Sequence, residues 1–291
     1  MEFVTTQNIT AEVLAVMAKT PDPRLREITT ALVKHLHALI REVKPTDAEF
    51  EAACHFIVGL GKATSEVKNE VILASDILGA STLITLQNNT QKHGETDAAL
   101  LGPFWRANAP EFPLGGNIAR GAEAQLPGQS LSVTGTVRNS RGQAVADAVV
   151  DVWQASPLGM YENQDKEQPD MNLRGRFRTD AQGKFHFKSV RPAGYPVPTD
   201  GPCGDLLRAQ LRHPFRPAHL HYMVSKPGYK VLVTQVFADD DERLHTDVTF
   251  SVVESLVGRY EQHKDAGGHY TLDYDLVLQD GEMKLPSPPI P

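Results

Sequence analysis

Cysteine is scarce in this sequence, with only Cys54 and Cys203 among 291 residues. Two cysteines cannot build a disulfide framework, so the composition indicates a reducing compartment. Long hydrophobic runs are also lacking: no stretch of about 18 apolar residues occurs, and the sequence therefore predicts no membrane-spanning helix. The first residues have neither the basic segment nor the apolar core of a secretion signal, which favours a cytoplasmic location.

An excess of basic residues is lacking as well. The sequence has 29 Lys and Arg against 36 Asp and Glu, a net charge of −7. A mildly acidic surface argues against nucleic acid as the main partner, because phosphate backbones are bound mainly by Lys and Arg. Hydrophobic residues make up 41% and charged residues 22%, which excludes a disordered chain and leaves enough apolar residues for a large core.

From residue 8 to about 90 the sequence has the apolar spacing of helices. Asp22 followed by Pro23, and Thr46 followed three residues later by Glu49, are typical of helix starts. The spacing predicts four helices, over about 9–17, 21–40, 47–60 and 66–86.

From about residue 128 the apolar pattern changes to a period of two, with Gly and Pro turns between short runs. Two hairpins are predicted, one pairing 131–137 with 148–153 and one pairing 176–178 with 184–187. Further strands are predicted over 219–224, 231–237 and 270–278. The sequence therefore predicts an α+β chain: a helical domain over 1–100, then an antiparallel β-sandwich over 101–291.

The tripeptide His-Leu-His occurs twice, and its context separates the two copies. His35 and His37 lie in a helical stretch, where residues two apart do not face each other, so a solvated helix surface is expected. His219 and His221 lie in a predicted strand, where residues two apart share a face and can converge on one metal ion. By itself this second pair is a moderate signal, because histidine has many other uses.

Two tyrosines stand in turn-rich segments close to this pattern. Tyr161 follows the predicted strand over 148–153, and Tyr195 lies in the Pro- and Gly-rich loop 194–201. Either one alone is expected to pack at a sandwich edge with its hydroxyl in water. Two phenols converging with two imidazoles would suit a strongly Lewis-acidic ion, because a free phenol has a pKa of about 10. Fe(III) fits this set, and zinc is the alternative.

At these residues the sequence closely resembles the intradiol ring-cleavage dioxygenases. The resemblance is carried by Arg-Gly-Arg-Phe-Arg-Thr-Asp from Arg174, Tyr-Pro-Val-Pro from Tyr195 and Arg-Pro-Ala-His-Leu-His from Arg216, and it covers nearly the whole chain. It implies that Arg216 stabilises negative charge on the substrate ring, that Tyr195 accepts a substrate proton, and that Gln235 lies near the metal. It also implies one Fe(III) per subunit, held by Tyr161, Tyr195, His219 and His221.

The resemblance further implies how the chain assembles and what it acts on. The helical domain would be a dimerisation domain and the sandwich the catalytic domain, giving a homodimer through the N-terminal helices. An apolar tunnel at that interface would be able to hold a lipid. The substrates would be O2 and a small aromatic diol or triol, in a pocket lined by Leu73, Asp76, Leu100, Leu101, Pro103, Phe104, Val197 and Pro198.

Asp76 is the informative position in this pocket. By the resemblance, hydroxyquinol enzymes carry an acid there and catechol enzymes an apolar residue or proline. A buried carboxylate is costly unless it is paired, and a third substrate hydroxyl would pair with it; the alternative is a cap or salt bridge within the helical domain. The resemblance thus favours cleavage of hydroxyquinol (1,2,4-trihydroxybenzene) to 3-hydroxy-cis,cis-muconate and maleylacetate. A catechol or chlorocatechol 1,2-dioxygenase giving cis,cis-muconate is the alternative, and pyrogallol also remains open.

Two other classes are compatible with a β-sandwich that carries histidines. One is a non-enzymatic carrier or transthyretin-like binding module, and the other is a zinc hydrolase. Neither explains the second tyrosine or the run from Arg216 to His221.

Overall fold

The chain divides into two compact units, Met1–Val58 and Gly59–Pro291, in the computed structural model. The structure describes residues 3–66, 68–90, 93–122, 126, 129–263 and 268–290. No single helix among these residues is long and apolar enough to cross a membrane. Glu70–Ile77 and Ala80–Asn88 reach that length and apolarity only as a pair, with a bend of 78° between them.

The helices of the first unit begin at the residues that the sequence predicts. The Leu25 amide donates a hydrogen bond to the Asp22 carboxylate at 2.9 Å, and Pro23 occupies the first turn. The Glu49 amide donates to the Thr46 hydroxyl at 3.3 Å, and the Thr46 amide donates back to the Glu49 carboxylate at 2.7 Å. Both predicted starts are confirmed. The helices are α1 (Ile9–Met17), α2 (Pro23–Val43) and α3 (Asp47–Ala63), and α3 ends in the second unit.

Helix α2 carries an apolar stripe that is open to solvent. Its members recur every three or four residues, the spacing of one helix face. Each is between 46% and 62% exposed. The stripe consists of Leu25, Ile28, Leu32, Leu36, Leu39, Ile40 and Val43.

The prediction of one helix over 66–86 is wrong. The segment forms two helices, α4 (Glu70–Ile77) and α5 (Ala80–Asn88), which are separated at Gly79. Gly79 has φ of +73°, in the left-handed region that a right-handed helix cannot continue through and that glycine adopts at little cost. The break ends α4 just after Asp76.

Two five-stranded sheets pack face to face in the second unit, and their inner faces form the main core. The elements are β1 (Ser130–Asn139), β2 (Val149–Trp153), β3 (Arg174–Arg178), β4 (Lys184–Val190), β5 (Tyr195–Pro196), α6 (Pro202–Ala209), β6 (Phe215–Arg216), β7 (His219–Ser225), β8 (Leu232–Ala238), β9 (Val257–Gly258), β10 (Glu261–His263), β11 (His269–Asp273) and β12 (Leu276–Leu278). One sheet has the order β10-β11-β1-β12 with β4 also paired to β1, and the other has the order β3-β2-β7-β8-β9. The predicted class, helices followed by a β-sandwich, is confirmed, although β1 runs parallel to β11 and β12, and β8 to β9, so the sheets are mixed.

Both predicted hairpins are wrong as strand pairs, although their turns form. Gly142 donates to the Asn139 carbonyl at 2.9 Å and Gly183 to the Asp180 carbonyl at 2.9 Å, as turns require. Each turn nevertheless carries the chain from one sheet to the other, because β2 pairs with β3 and β7 while β1 pairs with β4. Strand β2 is buried on both faces, and such a strand needs a central place in its sheet.

Successive side chains of β7 point to opposite faces of its sheet. Leu220, Tyr222 and Val224 point into the sandwich core, so His219 and His221 lie on the opposite face. In register, His221 lies between Trp153 of β2 and Gln235 of β8. The same face therefore carries residues from three adjacent strands.

Candidate active site

His219 and His221 converge on one point. Their Nε2 atoms are 3.2 Å apart, and both side chains are buried. The Nδ1–H of His219 donates to the Pro217 carbonyl at 2.7 Å, which leaves its Nε2 as a bare lone pair. The Trp153 ring stacks on His221 with centroids 4.6 Å apart and an interplanar angle of 12°. Both imidazoles are thus fixed in orientation by their neighbours.

The two predicted tyrosines meet beside this pair. Tyr195 is on β5, paired in register with Arg216 of β6, and Tyr161 stands in the turn-rich segment after β2. Their hydroxyl oxygens are 3.5 Å apart and their rings are nearly perpendicular. Phe104 stacks on the Tyr161 ring with centroids 4.6 Å apart. Donor atoms on one ion at about 2.0–2.1 Å lie roughly 3 to 3.5 Å apart, so the separation within each pair fits a shared metal ion.

The electrostatic setting also fits a metal ion. Burial lowers the pKa of His219 to about 3, with the Arg216 cation adding to the shift, and burial lowers the pKa of His221 well below its ordinary value. Both imidazoles are therefore neutral, the form in which histidine can bind a metal ion. Burial raises the pKa of Tyr161 and Tyr195, so neither phenol ionises without a strong cation nearby. No group of three or more His, Cys, Asp or Glu in the described part of the chain could hold a metal ion.

Arg216 lies at the edge of this cluster as a buried cation. Its Nη1 is 3.3 Å from His219 Nε2, and its Nη2 donates to Gln235 Oε1 at 2.8 Å. Its Nε donates to Asp247 Oδ1 at 3.1 Å. Burial alone would lower the pKa of Arg216, but the Asp247 carboxylate raises it above its ordinary value, so the guanidinium stays charged. Gln235 is also bound to the chain entering the sandwich, because its Nε2 donates to the Leu100 carbonyl at 2.6 Å.

A narrow pocket with about 450 Å³ of empty space opens onto Tyr195 and Arg216. A larger cleft with about 1500 Å³ of empty space, around 211–213 and 244–257, contains none of the predicted site residues. Every predicted wall residue lines the narrow pocket except Leu101, which packs in the aromatic cluster around Trp105 and Trp153. The predicted residues that line it are Leu73, Asp76, Leu100, Pro103, Phe104, Val197 and Pro198.

Several lining residues have no signal in the sequence. Lys68 Nζ lies 2.6 Å from Asp200 Oδ1 and 3.5 Å from Glu70 Oε2, and both Lys68 and Glu70 line the pocket. Glu70 also accepts a hydrogen bond from the Cys203 amide at 3.0 Å. Thr249 completes the wall. These residues carry no motif and lie far apart in the sequence, around 68–70, 200–203 and 249, and only folding brings them together.

Asp76 is 4% exposed at the end of α4. Burial raises its pKa to about 6, against smaller opposing effects of Ser81 and Arg216. The folded pKa therefore lies above the unfolded value of 3.8. Between these values the native state binds more protons than the unfolded chain, so this residue lowers the stability as the pH rises.

Asp76→Asn is expected to remove this pH-dependent cost. Above about pH 6 the wild-type protein carries the full penalty, about 2 to 3 kcal/mol at 1.36 kcal/mol per pKa unit, and below about pH 4 it carries none. The difference in unfolding free energy between variant and wild type should therefore grow by that amount from about pH 4 to about pH 7.5. Urea unfolding of both proteins across this range measures it, and a constant difference would contradict the raised pKa.

Two family models match the sequence that forms these elements. The one described as "Dioxygenase" matches residues 100–280, which include all four predicted metal ligands. The one described as "Catechol dioxygenase N terminus" matches residues 22–96, which include α2 to α5. Together they span most of the chain.

Similar proteins cover more than nine-tenths of the chain. A hydroxyquinol 1,2-dioxygenase of Rhizobium sp. (strain MTP-10005) is 42% identical over 277 residues, 91% of this chain and 92% of that protein. A crystal structure of hydroxyquinol 1,2-dioxygenase from Pseudomonas putida DLL-E4 matches with a TM-score of 0.87 at 36% identity, covering 95% of this chain and 99% of that one. Catechol 1,2-dioxygenase from Acinetobacter radioresistens matches with a TM-score of 0.82 at 28% identity, covering 97% and 95%. The chain therefore belongs to the intradiol ring-cleavage dioxygenases, in the branch that contains the hydroxyquinol and catechol 1,2-dioxygenases.

Proposed function

We propose that this chain is a hydroxyquinol 1,2-dioxygenase, which cleaves 1,2,4-trihydroxybenzene between its two adjacent hydroxylated carbons. Both atoms of O2 enter the product, 3-hydroxy-cis,cis-muconate, which tautomerises to maleylacetate. The observation that carries the proposal is a buried carboxylate, Asp76, in the wall of the pocket that also contains Tyr195 and Arg216. The names of the relatives with 42% and 36% identity support the same substrate.

The proposed cofactor is one Fe(III) per subunit, held by Tyr161, Tyr195, His219 and His221. The distances of 3.2 Å between the imidazole nitrogens and 3.5 Å between the phenol oxygens support this assignment. When bound, this ion supplies the Lewis acid that ionises the diol and activates its ring toward O2. The hydrogen bond from His219 to Pro217 keeps the ligating nitrogen free of a proton.

The protein residues around the diol have separate tasks in this proposal. Tyr195 lies in the pocket wall, so its phenolate oxygen is placed to accept a proton from one diol hydroxyl. Arg216 presents a fixed positive charge to the negative charge that develops on the ring. Leu73, Pro103 and Phe104 supply apolar walls that exclude water and orient the ring plane.

Asp76 would decide which diol is cleaved. Its carboxylate accepts a hydrogen bond from the third hydroxyl of hydroxyquinol, which catechol lacks. With catechol, the same carboxylate would keep the hydrogen bond from Ser81 but would lose the one from the third hydroxyl, and a site built to bond a substrate hydroxyl rejects the analogue that lacks it. Catechol or chlorocatechol cleavage is the alternative, since the catechol enzyme of Acinetobacter radioresistens shares the fold.

Asp76→Ala is expected to shift substrate preference toward catechol. A hydrogen bond to a charged group contributes about 1.5–3 kcal/mol, so wild type should prefer hydroxyquinol by roughly 10- to 100-fold in kcat/KM. The variant should lose most of that preference. The measurement is oxygen uptake by iron-loaded protein with hydroxyquinol and catechol side by side, corrected for autoxidation of hydroxyquinol.

The matched control for this measurement is Asp205→Ala. Asp205 is an exposed residue of α6 that pairs with Arg208 and does not line the pocket. It should leave the preference unchanged. Faster uptake with catechol by wild type would replace the substrate proposal with its alternative, and an unchanged ratio in Asp76→Ala would show that Asp76 does not determine substrate preference.

We also propose that the chain forms a homodimer through its N-terminal helices. The exposed apolar stripe of α2 supports this, because a surface of that kind is stabilised when a second copy covers it. A lipid held in an apolar tunnel at the interface is part of the same proposal. A monomeric mass in solution would contradict the arrangement.

The boundary between a dimerisation domain, 1–100, and a catalytic domain, 101–291, stays a prediction, while the division into compact units falls earlier, after Val58.

A further inference from the structure

The carboxylate of Asp247 binds Arg216, the buried cation of the pocket, and the hydroxyl groups next to it. Asp247 is 5% exposed and lies in the segment between β8 and β9. We propose that Asp247, Thr249 and Ser251, together called the Asp247 clamp, are positioning residues that fix the orientation of Arg216 toward the substrate. The inference rests on the proposed function, because it concerns the charge that Arg216 presents to the diol.

The clamp closes around both edges of the Asp247 carboxylate. Its Oδ1 accepts from Arg216 Nε at 3.1 Å and from the Thr249 amide at 3.3 Å. Its Oδ2 accepts from Arg216 Nη2 at 3.2 Å, from Thr249 Oγ1 at 2.9 Å and from Ser251 Oγ at 2.7 Å. A carboxylate held by donors from its own segment cannot rotate freely. The guanidinium that binds it through two nitrogens is therefore held in one plane.

The clamp leaves one edge of the guanidinium for the substrate. Nε is bound to Asp247, while Nη2 is bound to Asp247, Gln235 and Ser251. Nη1 faces His219 Nε2 at 3.3 Å, and a metal ion on that nitrogen would occupy its lone pair. Nη1 would then have its N–H groups available for the negative charge on the diol.

The backbone of the clamp is held in a strained turn. Phe250, between Thr249 and Ser251, has φ of +57°, which is uncommon for a bulky residue. Its amide donates to the Asp247 carbonyl at 3.0 Å, and this turn brings both flanking hydroxyls onto the same carboxylate. Thr82 of α5 donates to the Thr249 carbonyl at 2.9 Å and fastens the turn from outside. Strain of this kind concentrates where a side-chain geometry has to be held.

Thr249 connects the clamp to the substrate. It lines the pocket, yet its hydroxyl is bonded to Asp247 and lies 3.1 Å from Ser251 Oγ. The hydroxyl is therefore committed to the clamp and does not serve as a substrate partner. Removing the hydroxyl should therefore change kcat, by disturbing the orientation of Arg216, more than it changes KM.

The experiment is a double-mutant cycle between Asp247→Asn and Arg216→Gln, measured as kcat and KM with hydroxyquinol. Misplacing a reacting group by about 1 Å costs about 100-fold, so Asp247→Asn should lower kcat by that factor with a much smaller change in KM. In the Arg216→Gln background the same substitution should have little further effect, because its target is gone. Iron content and visible absorption should stay at wild-type values in Asp247→Asn.

Milder variants keep the inference testable if Asp247→Asn does not fold. Thr249→Val should lower kcat about 10-fold, the effect of losing one hydrogen bond to Asp247, and Ser251→Ala should lower it by at least about 10-fold, because Ser251 Oγ bonds both Asp247 and Arg216 Nη2. Thr249→Ser, which keeps the hydroxyl, should restore it. Thr246→Val is the matched control, because Thr246 lies in the same segment with an exposed side chain and its hydroxyl donates to the Arg243 carbonyl rather than to the Asp247 carboxylate.

The outcomes separate the two proposals. Wild type that cleaves no diol would overturn the proposed function and the clamp with it. If wild type turns over normally, two results would overturn the clamp alone. The first is a loss of kcat in Asp247→Asn that adds fully to the loss in Arg216→Gln. The second is a Thr249→Val protein with the kcat of wild type.

Discussion

Tyr161→Phe is expected to release bound iron and to lower kcat by at least about 1,000-fold, since outer partners of metal ligands alone are worth about 10- to 100-fold. The substitution removes one of four proposed donors and little else. Phe104 stacks on the Tyr161 ring at 4.6 Å, and a phenyl group keeps that contact. The iron-free variant should therefore be as stable as the iron-free wild type, which separates loss of the metal from loss of the fold.

Tyr222→Phe is the matched control for this prediction. Tyr222 is also a fully buried tyrosine, next to His221 in sequence but on the core face of β7. Its hydroxyl has no hydrogen-bond partner among the described residues, so its removal should leave iron content and oxygen uptake unchanged. Metal analysis, visible absorption and oxygen uptake measure both variants. A Tyr161→Phe protein that keeps its iron and its turnover would refute the ligand assignment.

The convergence of the two histidines was predictable because it depends on local periodicity. In a strand, residues two apart share a face whatever the strand pairs with, so His219 and His221 could be placed together from sequence. Tyr161 and Tyr195 were singled out by their turn-rich segments, and the resemblance then implied their roles and that of Arg216. The structure brings these groups within hydrogen-bonding distances of one another.

Strand pairing was not predictable in the same way. The turn residues before Gly142 and Gly183 fix a local reversal, but the choice of partner depends on which strands must be buried on both faces. For β2 that condition is met only between β3 and β7, far along the chain. The break at Gly79 was missed for a related reason, since a single glycine within an apolar stretch is compatible with a continuous helix.

The surroundings of Arg216 could not be predicted from the sequence either. The segment Asp247-Val-Thr-Phe-Ser251 has no recognised motif, and its two hydroxyls meet one carboxylate only because Phe250 adopts a left-handed conformation. The pocket wall was largely identified through the family resemblance, and Leu101 fell outside it because its neighbours Leu100 and Gly102 take the pocket positions.

Arg216→Gln is expected to lower kcat by about 100- to 1,000-fold while iron stays bound, because it removes a preorganised charge and no ligand. The negative charge on the ring grows after the diol has bound, so the substitution should change KM much less than kcat. The wild-type guanidinium is buried and held by Asp247, so it needs no reorganisation when that charge appears. This would be the largest effect of any residue that does not bind the metal.

Stability has to be measured beside kcat, because Arg216→Gln leaves the buried Asp247 without its cation, at a cost of about 3–5 kcal/mol. Arg208→Gln is the control, since Arg208 is an exposed arginine of α6 paired with Asp205. Arg216→Lys separates charge from shape: an ammonium group cannot bond Asp247 through two nitrogens and still face the pocket, so it should recover only part of kcat. If the glutamine variant turned over normally, the ring charge would need another partner. If it lost its iron, Arg216 would act by holding His219, whose Nε2 lies 3.3 Å from Nη1.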